Sequence, residues 1–360
     1  LLSLVQLAGM TLGLVVGLMA DYLGPRSVML AGLGLLAMGS ALGGLSTGVH
    51  GLLATRVLEG LGFLLAVLPA PGLLRQRVHN PKTLARALGW WGAYMPLGTA
   101  TALLCGAPLL ELIGWRPVWL FLALLTFLAA IGLATQVSYD PTYARGTGSV
   151  VATKALKPWA RVQLTLVAPG PWLVALAFFL YSGQWLAVVG FLPSIYTQAG
   201  LLGATLGLLT AVAAAVNMVG NMASGRLLQR GIHPSVLLAM GFLAMAAGAV
   251  LAFAEFTQSW PWLRYAGVLL FSACGGLVPG TLFSLAVRLA PHERNVSTTV
   301  GWMQQGSAAG QFAGPPLVAW LASQVGGWQW TWLATGLCCV LGGLLSLLIA
   351  RTLSQQSVAS

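Results

Sequence analysis

The chain has 360 residues, 58% of them hydrophobic and only 6% charged, with a formal net charge of +11. Soluble domains carry about 25% charged residues, so a water-soluble globular fold is excluded. The basic excess is spread among short polar segments and forms no single patch, so the pI near 10.2 does not imply nucleic-acid binding.

In chain order, the uncharged stretches come in units of one membrane span. Crossing the ~30 Å hydrocarbon core takes roughly 20 apolar residues. Between Arg86 and Glu111 lie 24 uncharged residues, between Arg116 and Asp140 lie 23, and between Arg264 and Arg288 another 23. Arg161 and Arg226 are separated by 64, enough for two spans and a turn. Barrel strands would alternate polar with apolar. These runs do not, so an all-α polytopic membrane protein is expected. Eleven spans are predicted, at 1–20, 27–46, 51–74, 87–110, 116–137, 170–196, 203–224, 234–254, 263–287, 298–323 and 328–350. The polar segment 138–169 reads as a central loop between an N-terminal half, 1–137, and a C-terminal half, 170–352, with a tail at 353–360. Cys105, Cys274, Cys338 and Cys339 fall inside spans as small apolar residues, with no disulfide framework.

Alternate connections differ sharply in charge. One side receives Arg26, Arg75, Arg77, Lys82, Arg86, Arg145, Lys154, Lys157, Arg161, Arg226, Arg230, Arg288, Arg294 and Arg351; the other receives only Arg116 and Arg264. The positive-inside rule assigns the first side to the cytoplasm. The C-terminus is then inside and residue 1 outside. Five spans precede the polar segment and six follow it, so a twelve-span protein whose first helix precedes Leu1 is expected.

An internal repeat supports two related halves. Gly114-Trp115-Arg116-Pro117-Val118-Trp119-Leu120 has a counterpart in Gly327-Trp328-Gln329-Trp330-Thr331-Trp332-Leu333, 213 residues later. Gly89-Trp90 recurs as Gly301-Trp302 at an offset of 212, and Pro71-Gly72 as Pro279-Gly280 at 208. These offsets pair spans of the same orientation, which makes the repeat parallel.

The stretch GLMADYLGPR at 17–26 resembles the signature loop of the major facilitator superfamily, Gly-x-Leu-Ala-Asp-x-x-Gly-basic-basic, through Gly17, Ala20, Asp21, Gly24 and Arg26. Met19 and Pro25 depart from it. Arg56-Val57-Leu58-Glu59-Gly60-Leu61-Gly62 is similar to that family's Arg-x-x-Gln-Gly-x-Gly, with Glu for Gln, and GNMASGRLLQRG at 220–231 is a looser second copy of the loop. The textures at 95–108 and 183–200 resemble the cyanate permease group. The resemblance implies two six-helix halves related by a parallel pseudo-two-fold, with residues 1–20 as the second span. It also implies a gating latch at Gly17, Asp21, Gly24 and Arg26, echoed by Arg226 and Arg230, in which the acid pairs with a nearby arginine. The family's cavity-lining spans make Tyr181, Gln184 and Trp185 candidate substrate contacts, with Tyr94 as a neighbour.

Arg56 and Glu59 share one helix face at i, i+3. They lie about 5 and 8 residues inside the span that begins near 51, and a central charge costs at least about 2.5–3.5 kcal/mol on insertion scales. Two readings follow: an anion-attracting arginine beside a proton-coupling Glu59, or a helix-packing ion pair. Gly306, Gly310 and Gly314 stand four apart, an arrangement that admits close helix approach. Pro69, Pro71, Pro193 and Pro315-Pro316 are candidate flexing points. No phosphate-binding loop, nucleophile elbow or zinc-protease motif is present, so an enzyme is excluded and no cofactor or metal is expected. The expected activity is secondary active transport of a small organic anion by alternating access, with a proton as the candidate coupling ion. The alternatives are proton-driven drug efflux and, from another class, a non-transporting sensor or inactive fragment. The expected setting is a bacterial inner (plasma) membrane, as a multi-pass monomer whose partners are lipid and a small-molecule substrate, with no nucleic acid.

Overall fold

The computed structural model describes residues 2–138, 158–198, 200 and 203–359. Arg145, Lys154 and Lys157 of the central segment lie outside the described residues. Helix occupies all eleven predicted spans, and no strand occurs among the described residues. The spans are α1 (Leu2–Leu23), α2 (Pro25–Leu45), α3 with α4 (Val49–Val67, Ala70–Arg77), α5 with α6 (Pro81–Trp91, Tyr94–Ile113) and α7 (Trp115–Gln136). After α8 (Pro158–Val167) come α9 (Pro169–Gln198), α10 with α11 (Gly203–Ala215, Asn217–Gln229) and α12 (Pro234–Phe253). The last are α13 with α14 (Pro261–Gly275, Leu277–Arg288), α15 (Val296–Val325) and α16 (Thr331–Ala359). Eight of these stretches meet both the length and the hydropathy of a membrane crossing.

Local chemistry sets the boundaries. Proline starts α2, α5, α12 and α13, where its missing N–H costs nothing. Asn80 caps α5 by accepting from the Lys82 and Thr83 amides. The turn between α1 and α2 passes through Gly24 at φ 90°, a conformation disfavoured for side-chain-bearing residues. The break between α3 and α4 coincides with Pro69 and Pro71, and that between α13 and α14 precedes Pro279. Each proline removes one amide from the helical ladder. Helices α9 and α15 instead run on through Pro193 and Pro315-Pro316.

The central segment holds one departure from expectation. Residues 158–167, assigned to a loop, form α8, on which Arg161, Val162 and Thr165 are buried while Trp159 is exposed. Segment length hid it: one apolar stripe over ten residues is too short to read as a span yet enough to pack one face.

The chain groups into two compact units. The first comprises residues 1–77, 108–172 and 286–305. Here α2 packs against α3 and α7, and Val16, Leu64 and Leu68 form a core with Leu12 and Leu65. Helix α7 buries Ala123, whereas Phe121, Leu124, Phe127 and Leu128 are each 52–54% exposed. So much unpartnered hydrocarbon marks a lipid-facing surface. The second unit comprises residues 78–107, 173–285 and 306–360. Its core is built on Phe242, Phe271, Phe283, Leu237, Leu238 and Met245. Gly306, Gly310 and Gly314 lie against the backbone of Ala175, Phe179 and Gly183 on α9, the close approach their spacing predicts.

Candidate functional site

Three constellations gather the sequence candidates. The first is a clasp at the end of α1. Gly17 lets α1 meet α15 backbone to backbone: a Cβ there would stand 2.9 Å from the Thr298 Cα, too close for any side chain. One turn later the Asp21 carboxylate accepts from the Ser297 amide at 3.0 Å, the Thr298 amide at 2.7 Å and the Thr298 hydroxyl at 2.6 Å. The first amides of a helix have no partner within it and carry its positive pole, so a carboxylate caps α15 as an anion would. The expected Asp21–arginine pairing is therefore corrected. Arg26 turns away and donates to the Val137 and Ala134 carbonyls at 2.6 and 2.8 Å, capping the C-terminal end of α7. Arg161 reaches the clasp through the Asp21 backbone carbonyl, at 3.1 Å. Asn295 ties α8 in by donating to the Arg161 carbonyl, also at 3.1 Å.

The same crossing recurs in the second unit. Residues 13 and 17 on α1 correspond to 221 and 225 on α11 at the repeat offset of 208, and 85 and 89 on α5 correspond to 297 and 301 on α15 at 212. A Cβ at Gly225 would stand 2.7 Å from the Ala85 carbonyl and 3.0 Å from the Arg86 Cα. One at Gly89 would stand 2.8 Å from the Asn221 carbonyl. The copies differ in charge: Gln229 occupies the place of Asp21, and Arg226 and Arg230 are exposed at the end of α11.

The second constellation holds Arg56 and Glu59, on α3 where it faces α2 and α7. The two side chains are ion-paired. Glu59 also accepts from the Ser40 hydroxyl at 2.7 Å and the Trp119 indole at 3.2 Å. The guanidinium lies 4.5 Å over the Trp119 ring. Gly39 and Gly43 make room on α2: a Cβ at Gly43 would come within 3.3 Å of Arg56 Nη2. Nε and Nη2 of Arg56 are buried without a hydrogen-bond partner among the described residues. This is the geometry of a packed ion pair backed by an aromatic face.

The third constellation is an uncharged network in the second unit. Tyr181 on α9 and Asn217 on α11 exchange hydrogen bonds at 3.0–3.2 Å. Asn217 also donates to the Ser272 carbonyl at 2.7 Å, and Asn221 donates to Asn217 Oδ1 at 2.9 Å. The Trp185 indole donates to the Ser272 hydroxyl at 3.2 Å. Gln184 accepts from the Cys339 thiol at 3.3 Å, while its Nε2 is buried with no partner among the described residues. Tyr94 lies in this unit too, its ring 5.2 Å from that of Trp91. The arrangement thus joins Tyr181 and Trp185 through Ser272 and Asn217, and leaves Arg56 and Glu59 in the other unit. Sequence reasoning missed Ser40, Trp119, Ser272, Ser297 and Thr298 as partners. A Ser-Thr-Thr run at a span's start was the one legible signal among them, as a helix N-terminus.

The family model described as "Major Facilitator Superfamily" matches residues 1–303. Among curated proteins, an uncharacterized MFS-type transporter of Mycobacterium tuberculosis is 34% identical over 110 residues, 30% of this chain and 18% of that protein. The methylenomycin A resistance protein of Bacillus subtilis is 29% identical over 104 residues, 29% of this chain and 22% of that protein. The multidrug resistance protein Stp of M. tuberculosis is 32% identical over 117 residues, 31% of this chain and 22% of that protein. The chain thus spans about a fifth of the length of these curated relatives, 18–22%. Among solved structures, the human organic anion transporter MFSD10 superposes with a TM-score of 0.75 at 19% identity, over 96% of this chain and 83% of that one. The fucose:proton symporter of E. coli gives 0.77 at 16%, over 96% and 90%. At these identities the likeness shows the fold.

Proposed function

The chain belongs to the Major Facilitator Superfamily, and from that premise we propose that it is a secondary carrier of small amphipathic organic solutes, working by alternating access in a bacterial inner membrane. The observation that carries this reading is the Asp21 clasp. It closes a backbone-tight crossing with three hydrogen bonds from one carboxylate. A contact made in one state and broken in the other shifts the equilibrium between them. With the basic connections inside, the clasp belongs to the cytoplasmic end, and its closed form is the state shut toward the cytoplasm.

The solute site is the uncharged network of Tyr181, Gln184, Trp185, Asn217 and Ser272, with Tyr94 nearby. Neutral donors and acceptors among aromatic rings suit a neutral or weakly charged solute with an apolar frame. This favours export of drug-like compounds over uptake of an anion, because Arg56 is committed to Glu59 and Trp119. The names of the methylenomycin A and multidrug resistance relatives support the same direction. Glu59 is the candidate coupling group, since protonation would release the Arg56 pair.

The test is transport by the full-length protein in proteoliposomes under an imposed pH gradient. Radiolabelled chloramphenicol, neutral with an aromatic frame, and radiolabelled benzoate serve as drug-like and anionic probes. Gradient-driven movement of the first, lowered by Tyr181→Phe and Asn217→Ala, is the expected result. Movement of benzoate alone, abolished by Arg56→Ala, would restore the anion reading.

A further inference from the structure

Where the C-terminal end of α9, Leu209 of α10, the α12–α13 connection and the Trp328 turn meet, the second unit holds an open cavity of about 830 Å3. It shares no residue with the Tyr181 network and sits at the helix ends opposite Arg226 and Arg288. That volume lies in the range that holds drug-sized ligands, about 300–1,000 Å3.

Its polar groups are few and fixed. Arg264, in the first turn of α13, donates through Nη2 to the Ala254 carbonyl at 3.2 Å and through Nε to the Thr257 hydroxyl at 3.4 Å. These bonds pin the guanidinium across the connection, and Nη1 takes part in none of them. Across the cavity, the Tyr196 hydroxyl is buried with no hydrogen-bond partner among the described residues. A buried polar group left unsatisfied costs about 1–3 kcal/mol. The walls are aromatic. The Trp328 indole is held by Gln198 at 3.1 Å, the Tyr265 ring lies 6.4 Å from that of Tyr196, and Trp262 stacks on Trp260 at 6.0 Å. Glu255, on the 3-10 turn spanned by the Arg264 bonds, is exposed and also lines the cavity.

We propose that this cavity binds an aromatic organic monoanion, whose carboxylate or sulfonate engages Arg264 Nη1 and the Tyr196 hydroxyl while its ring lies among Trp262, Tyr265 and Trp328. Arginine and a phenol present donors only toward the anionic group, and a guanidinium held in place gives up little freedom on binding. Glu255 limits the charge the site accepts, since a second anionic group would meet its carboxylate. A lipid phosphate offers the same anionic chemistry to Arg264, but two acyl chains make no use of the Tyr196 hydroxyl. The proposal is independent of the transport reading, because it concerns occupancy and not movement.

The experiment measures equilibrium binding of radiolabelled 2-naphthoate to the full-length protein in phosphatidylcholine nanodiscs, with 2-naphthamide as neutral competitor. Saturable binding is expected, with the amide at least about tenfold weaker, in line with 1.5–3 kcal/mol for a hydrogen bond to a charged group. Arg264→Gln should weaken binding by about tenfold and Tyr196→Phe by several-fold. Glu255→Gln should strengthen it. Arg264 also braces the connection, so Trp262→Ala, a truncation of an exposed side chain, serves as the variant that leaves folding intact and should weaken binding. Equal affinity for naphthoate and naphthamide overturns the proposal. So does displacement of the probe by phosphatidylglycerol in the disc, which would assign the site to a lipid headgroup.

Discussion

Replacing Asp21 by asparagine tests the clasp while changing almost no volume. The carboxylate accepts three bonds, two from the leading amides of α15 and one from the Thr298 hydroxyl. Asparagine keeps one acceptor oxygen and turns an NH2 group toward donors it cannot satisfy. Bonds to a charged group are worth about 1.5–3 kcal/mol each against about 1 for neutral ones, and an anion at a helix N-terminus adds roughly 0.3–1 kcal/mol. Allowing for partial replacement by water, the closed crossing should lose about 2 kcal/mol, close to a 30-fold shift in the open fraction. Val300, one turn into α15 and fully buried, supplies the reporter. In a background with the four native cysteines replaced by alanine, Val300→Cys should react slowly with a membrane-impermeant maleimide. Asp21→Asn should then speed labelling by about 30-fold if opening limits access. Thr298→Val, which removes only the hydroxyl, should give about fivefold, or roughly 1 kcal/mol. An unchanged labelling rate in Asp21→Asn would refute the clasp as a determinant of the closed state.

Other outcomes follow from the packing. Gly225→Leu should prevent the α5–α11 crossing, since even a Cβ would meet the Ala85 carbonyl at 2.7 Å; loss of the monodisperse peak in fluorescence size-exclusion checks it. Glu59→Gln leaves the Arg56 guanidinium without its counter-charge in a largely buried setting and should cost roughly 2–4 kcal/mol, whereas Arg56→Met with Glu59→Leu should be nearly neutral. Thermal unfolding in detergent separates the two, and equal melting temperatures for both variants would remove the ion pair as a stabilising element. If Glu59 is also the coupling group, Glu59→Gln should abolish gradient-driven accumulation while leaving downhill exchange intact, measured in the same proteoliposomes.

Hydropathy read the spans well because lipid imposes one length on every crossing helix. What it read poorly were the places where partners come from far along the chain. Asp21 stands out as the one acid of the GLMADYLGPR loop, yet charge counting pairs acids with bases and points to Arg26 as its partner. The α15 amides carry no formal charge and lie some 276 residues away, so nothing local could announce them. For Arg56 and Glu59 the i, i+3 spacing correctly joined the two side chains, but which helix face they would meet depended on the rotation of α2. Gly39, Ser40 and Gly43 form that facing surface, and their smallness reads in sequence merely as a glycine-rich span. Helix α8 failed to register because its burial is one-sided and its partners, Asp21 and Asn295, sit in two other segments.

The second crossing holds together without a charged cap. The α1–α15 and α5–α11 crossings are built on matching positions of the repeat, each within its own unit. Gln229 in the place of Asp21 keeps the second crossing tight by shape alone, through Gly225 and Gly89. On this argument Gln229→Asp should not restore function to Asp21→Asn. α5 starts at Pro81, so its own leading amides lie near Lys82 and Thr83, already taken by Asn80, and a new carboxylate would find no free helix pole to cap.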